Sequence, residues 1–264
     1  KLNRRERRVV SNAPTCLNRV MHPSLKTLGH RPCPLPTGHW KWRQAWTDLA
    51  FIHYPVAAEK LSSFIPHGLQ LEAFDNAAWV GLVPFRMSGV MRRPLPDLPL
   101  FSPFPELNVR TYVTAGGKPG VWFFSLDAAS LPMVLGGRQF YNLPYFFARM
   151  RQRWADGWCH FSSTRWRSPI QFAARYRPTS DVFHAVPGSF EHWATERYCL
   201  YSAGASGGIS RVEVHHAPWP LQQAEMVIER CDLLSAVGVC ADAKNPITHF
   251  SSGVEVVSFQ GERL

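Results

Sequence analysis

Residues 106–113, ELNVRTYV, set an acid, an amide, a guanidinium and a phenol at alternate positions. Side chains of an extended strand alternate between its two faces. Glu106, Asn108, Arg110 and Tyr112 therefore share one side, and Leu107, Val109 and Val113 share the other. Two roles suit such a stripe: a solvated outer face, or the inner wall of a barrel that lines a pocket. The next segment, VWFFSLDA (121–128), is apolar on both faces, which argues against a wet sheet edge. In a pocket, a carboxyl and a phenol could move protons.

Residues 136–147, GGRQFYNLPYFF, form a second cluster. Gly136 and Gly137 permit a positive φ or a close backbone approach. Arg138 has the fork that holds a carboxylate or phosphate in two hydrogen bonds. Tyr141 and Tyr145 supply phenols, and Phe140, Phe146 and Phe147 supply apolar wall. The plainer alternative is a helix end whose rings pack in the core and whose Arg138 pairs with Asp127. His215 and His216 are neighbours on a strand, so they point to opposite faces and cannot easily share a metal. One is expected in the core or pocket and the other in solvent. Glu196, Arg197 and Tyr198 are expected to form a buried polar cluster. No nucleophile elbow, phosphate loop, dinucleotide fingerprint or H-E-x-x-H occurs. The six cysteines show no metal-ligand spacing. Neither a metal nor a cofactor is expected.

The elements that carry these residues are short. The chain has 264 residues, 45% of them hydrophobic, with 22 Pro and 18 Gly. That composition fits one large domain of many strands and turns. Strands are expected at 42–55, on both sides of Phe74-Asp75-Asn76, at 106–113 and 121–128, within 151–180, and at 210–221. Short helices are expected at 57–65, at 130–141 (broken or ended by Gly136-Gly137) and at 222–238. Residues 91–105 hold five prolines and read as a long loop. The fold class is α+β and β-rich, built round a barrel or sandwich. No apolar run approaches the roughly 18 residues of a membrane-spanning helix. Free thiols, no secretory pattern at the start and a cytoplasmic location are the matching expectations.

The net charge is +10, but residues 1–38 carry eight basic residues against Glu6 alone. The remainder is nearly balanced at +3. Residues 1–38 thus read as a basic, flexible extension before a domain at 39–264. The extension is a solvated tail, or an arm touching nucleic acid or a membrane.

The stretches VGLVPFRMSGV, FPELNVRTYV, GKPGVWFFSLDA, GGRQFYNLPYFFARM, ERYCLY and VHHAPWPLQQAE together resemble the uncharacterised YqjF-like family over roughly residues 40–255. That family is more distantly similar to the acetoacetate decarboxylase superfamily. The superfamily motif is a Gly-Arg step, an aromatic turn, a proline and two lysines. Gly137-Arg138 and Leu143-Pro144 match its frame. The two lysine places hold Tyr145 and Phe146, and neither can form an imine with a ketone. The resemblance implies an acetoacetate decarboxylase-like β-barrel with a pocket for an organic acid or ketone. It places Glu106 at the superfamily's active-site acid and Arg138 at its arginine. The implied catalytic set is Glu106, Arg138 and Tyr145, with Arg110, Trp122, Phe124 and Tyr141 lining the pocket. Arg138 would hold a carboxylate and Tyr145 would polarise an oxygen. If the protein is an enzyme, its chemistry is of lyase or hydratase type. Otherwise the pocket belongs to a ligand-binding or sensor domain. The sequence leaves the oligomeric state open.

Overall fold

The computed structural model describes residues 22–95, 102–204, 207–239 and 246–264. The strands are β1 (Trp42–Val56), β2 (Gln70–Leu71), β3 (Ala78–Arg92), β4 (Phe104–Ala115), β5 (Lys118–Ala128), β6 (Tyr145–Ala155), β7 (Trp158–Arg165), β8 (Gln171–Pro178), β9 (Cys199–Ala203), β10 (Ile209–His215), β11 (Leu221–Cys231), β12 (Ile247–Ser258) and β13 (Glu262–Arg263). Four short helices intervene: α1 (Ala58–Ser62), α2 (Leu131–Tyr141), α3 (Phe190–Thr195) and α4 (Leu233–Ala236). None of the described helices is long and apolar enough to cross a membrane.

All strands join one sheet whose pairings close on themselves twice. The first ring runs β12–β1–β3–β4–β5–β9–β10 and returns to β12. The second leaves β5 through β6, β7, β8 and β11 and also returns to β12. Strands β1, β3 and β4 lie in both rings, so each of their faces meets a different interior. Ile52, Leu82, Leu107 and Val109 face the larger ring, where they pack on Phe161, Phe172 and Tyr176. Leu49, Phe51, Val83 and Phe85 face the smaller ring. This two-sided burial explains why β1 and β3 read as nearly unbroken apolar runs.

Most expected elements occur, with four differences. Helix α2 runs through Gly136-Gly137 and ends at Asn142, which takes the left-handed conformation at φ 50°. Strand β6 was not expected. Residues 222–238 contain many helix formers, yet 221–231 are a strand. Their exposure alternates: Gln223, Glu225, Val227 and Glu229 are exposed, while Ala224, Met226 and Ile228 pack on the core. Pairing with β8 and β12 outweighs the weaker local propensity. Strand β2 pairs with β4 rather than with β3, and only Phe74 and Ala77 bridge the turn between them.

Packing begins before residue 39. His22 and Ser24 are buried. Arg31 donates to the Val214 carbonyl at 2.6 Å and pairs with Glu213 at 3.1 Å. His30 Nε2 donates to the His216 carbonyl at 2.9 Å. Residues 22–38 are therefore a strap over β10 and not part of a free arm. Residues 1–21 lie outside the described part.

Candidate functional site

A cavity of about 310 Å³ occupies the interior of the smaller ring. Alternation decides which side chains reach it. On β4 these are Glu106, Asn108 and Arg110, while Tyr112, the fourth member of the stripe read from the sequence, does not line the cavity and sets its hydroxyl 2.6 Å from His53 Nε2. On β3 they are Val83, Phe85 and Met87, and on β10 Val212 and Val214, with His216 just beyond. On β1 the lining residues are Trp42, Gln44 and Trp46, then Leu49 and Phe51. The change of parity falls at Asp48, whose φ is 49°. There the β1–β3 register also breaks, between Thr47 and Ile52. One inserted residue turns the strand over. Helix α2 closes one end with Met133, Gly137 and Tyr141.

Glu106 is only 2% exposed. The Tyr145 hydroxyl lies 3.2 and 3.3 Å from its two carboxyl oxygens and donates to them. Burial pushes the Glu106 carboxyl up to about 8 from an ordinary 4.5, against the smaller opposing effect of that hydrogen bond. Burial, reinforced by Glu106, holds the Tyr145 phenol well above its ordinary value. Both groups therefore keep their protons near neutral pH. The phenol gives its one O–H to the carboxyl, which leaves the Glu106 O–H as the donor at the cavity wall.

Tyr145 is seated by glycine. A Cβ on Gly137 would stand 2.4 Å from the Tyr145 ring. The glycine pair thus serves close approach, one of the two roles open to it in the sequence.

Arg110 lies at the far end of the β4 stripe. Its Nη2 donates to the Ala194 carbonyl at 3.4 Å, and its guanidinium carbon is 5.5 Å from the Phe51 ring. Its Nε is buried without a hydrogen-bond partner, as is Asn108 Oδ1. No acid forms an ion pair with Arg110 among the described residues. Arg197 also reaches the cavity, but Glu72 holds it at 2.7 Å. Tyr198 donates to Glu196, completing the buried polar cluster expected at 196–198. His215 and His216 are both buried. His215 Nε2 donates to the Ser24 carbonyl of the strap at 2.7 Å, and His216 Nδ1 donates to the Ala217 carbonyl at 2.8 Å. Only His216 lines the cavity, and neither faces solvent as one was expected to.

Three expected pocket residues lie elsewhere. Arg138 Nε donates to the Tyr145 backbone carbonyl at 2.6 Å, and its guanidinium lies over the Phe146 ring. It steadies the start of β6 and does not line the cavity. Nor does it pair with Asp127, which Arg165 holds at 2.7 Å. Trp122 and Phe124 face a separate groove with Phe64 and Tyr201. The reason is parity: Val121 and Phe123 point inward. A register shift opposite Val109 and Arg110 then leaves Phe124 as the extra residue, after which Leu126 points inward. Glu106, Arg110, Tyr141 and Tyr145 do share the cavity. Gln44, Trp46, Ser202 and His216 also line it. The alternation of β1 carried a signal for the first two. Nothing local marked Ser202.

No lysine lines the cavity among the described residues. Lys118 pairs with Glu213 at the rim of the strap. The four described cysteines are free thiols.

The architecture is that of acetoacetate decarboxylase-like proteins. Acetoacetate decarboxylase from Legionella pneumophila superposes with a TM-score of 0.59 at 12% identity, over 93% of this chain and 96% of that one. The enduracididine biosynthesis enzyme MppR, in complex with pyruvate, gives 0.58 at 13% identity, over 88% and 91%. The family model DUF2071, described as an uncharacterized conserved protein, matches residues 43–255, and the chain belongs to this family. The uncharacterized protein YqjF of Bacillus subtilis (strain 168) is 38% identical over 224 residues, 84% of this chain and 92% of that protein.

Proposed function

We propose that the cavity binds a partly apolar organic acid bearing a second oxygen function, such as an oxo acid, without forming an imine. The observation that carries this reading is the proton-bearing Glu106–Tyr145 pair and the acid-free Arg110 on the wall of one apolar cavity. Arg110 would take the carboxylate, a partner that desolvated guanidinium otherwise lacks. Glu106, itself accepting the Tyr145 O–H, would donate its proton to the carbonyl oxygen. Four residues of strand, about 13 Å, separate the Cα atoms of Glu106 and Arg110. That span suits a ligand longer than a three-carbon acid. Polarising the carbonyl favours enolisation or hydration, while the absence of a lining lysine among the described residues argues against an iminium route. The superposition on MppR, a protein seen with pyruvate, is in keeping with an oxo acid.

Calorimetric titration with four- to eight-carbon 2-oxo and 3-oxo acids, and with the matching neutral ketones, tests the proposal. The acids should bind at least tenfold more tightly than the ketones, and Arg110→Gln should erase the difference. Equal affinity for acids and ketones would overturn it. Borohydride added to the complex should leave no lysine adduct by mass spectrometry. Turnover followed by NMR separates catalysis from plain ligand sensing. The sensing reading draws support from His216, which burial lowers to about 3 and whose Nδ1 is already committed. Such a group is a weak base.

A further inference from the structure

We propose that the outer face of β6–β7–β8 is a platform for single-stranded nucleic acid. The proposal is independent of the cavity. The inner faces of these strands, through Phe161, Phe172 and Tyr176, fill the larger ring. Their outer faces carry Arg149, Arg151 and Arg153 on β6 and Arg175 and Arg177 on β8. The three strands contain no aspartate or glutamate at all.

Register sets these groups in rows. Arg153 stands opposite His160, which stands opposite Arg175. Arg151 stands opposite Ser162, and Arg149 opposite Thr164. Alternate residues of a strand lie about 6.8 Å apart, so the β6 guanidiniums form an evenly spaced line. Two tryptophans interleave with them. The Arg149 guanidinium carbon lies 4.6 Å from the Trp166 ring centroid. Those of Arg177 and Arg175 lie 4.4 and 5.2 Å from Trp158. Stacking holds the flat cations in place and leaves their N–H edges outward.

Among the described residues, acids stand at the borders of this face, Asp156 in the β6–β7 turn among them. Arg177 pairs with Glu225 of β11 at 2.6 Å, and Glu229 follows on the same strand. Among the described residues, no acid forms an ion pair with Arg149, Arg151, Arg153 or Arg175. Like charges in a row repel one another, and only a partner carrying regularly spaced negative charge relieves all of them together. A single strand offers that charge plus bases to lie on Trp166. Serine and threonine hydroxyls between the arginines add phosphate donors. A membrane surface fits less well, because insertion needs an apolar face. Here the outward residues between the arginines are His160, Ser162, Thr164 and Ala173.

The test uses the full chain and a fluorescein-labelled 20-nucleotide oligo-dT, with anisotropy read at several salt concentrations. The wild type should bind with a steep salt dependence. The combined variant Arg149→Ser, Arg151→Ser, Arg153→Ser should bind at least tenfold more weakly. It should also flatten the log–log salt slope by about 2, the value for three lost phosphate contacts on a single strand. Lysine at the same three positions should restore most of the slope. The three side chains are exposed, so the thermal midpoint of the serine variant should match the wild type and rule out misfolding. No binding by the wild type, or undiminished binding by the serine variant, overturns the proposal. So does loss of binding that follows Arg4, Arg5, Arg7 and Arg8→Ser instead, or equal binding to phosphatidylserine vesicles.

Discussion

The two rings share β1, β3 and β4 yet have opposite interiors. On one side of these strands, Ile52, Leu82 and Leu107 pack with Phe161 and Phe172 in one apolar core. On the other, Glu106, Asn108 and Arg110 face about 310 Å³ of space. The smaller ring is lined by large flat rings that prop the wall open, with short valines on β10. The larger ring is filled by side chains from both walls. Stability and site are thus assigned to two faces of the same strands. The buried Asp127 carboxyl on the packed side is already engaged, held by Arg165 at 2.7 Å and Ser163 at 3.1 Å.

That comparison can be broken or sharpened. The largest effect is expected from Leu82→Ala on the packed side, which should cost about 4–5 kcal/mol in urea unfolding. Leu126→Ala on the cavity wall should cost about 2–3 kcal/mol, because a side chain bordering space has fewer contacts to lose. Equal costs would erase the distinction between the rings. Gly137→Ala comes next. Its methyl meets the Tyr145 ring, so a loss of about 1–3 kcal/mol is expected, with weakened binding of the oxo acid by calorimetry.

The third prediction concerns pH. The unfolded chain loses the Glu106 proton near 4.5, while the native protein keeps it to about 8. Over that window the native state binds the extra proton, so the group destabilises the fold as pH rises. The slope reaches about 1.4 kcal/mol per pH unit. Urea unfolding of Glu106→Gln at pH 5 and pH 8 should lack this contribution, and an unchanged slope would refute the buried acid. The histidines act in the opposite direction. Burial lowers His215 to about 4 and His216 to about 3, below an ordinary 6.5. The unfolded chain therefore takes up their protons first, and stability falls as pH drops below about 6.5. The smallest effect is expected from Tyr145→Phe. It removes one neutral hydrogen bond, worth about 1 kcal/mol, and raises the Glu106 carboxyl further. A pH titration of the Glu106 carboxyl by NMR would report that rise.

The β4 stripe was legible because alternation is a local property: every second residue of 106–110 reaches the cavity. The apolar neighbour VWFFSLDA argued against a wet sheet edge. The Tyr145 replacement was legible once the Gly-Arg and Leu-Pro frame was recognised. Arg138 misled because a guanidinium beside a pocket motif can turn either way, and here the Tyr145 carbonyl captured it. Trp122 and Phe124 misled because the shift in β5 is invisible without its partner strand. Residues 22–38 looked like tail, since their contacts to Glu213, Val214 and His216 lie some 180 positions away.

From its residues alone this chain was readable as a β-rich domain with an acid, an amide, a guanidinium and a phenol alternating along 106–112. Those features follow from alternation, composition and chemical type, which neighbours along the chain suffice to set. Only the tertiary structure decided which guanidinium meets the cavity, which face of β5 turns inward, and that the second ring encloses its own apolar core. Those outcomes depend on ring closure and on single-residue bulges at Asp48 and Phe124. A bulge flips a whole strand face, and it forms where two distant strands must fit each other.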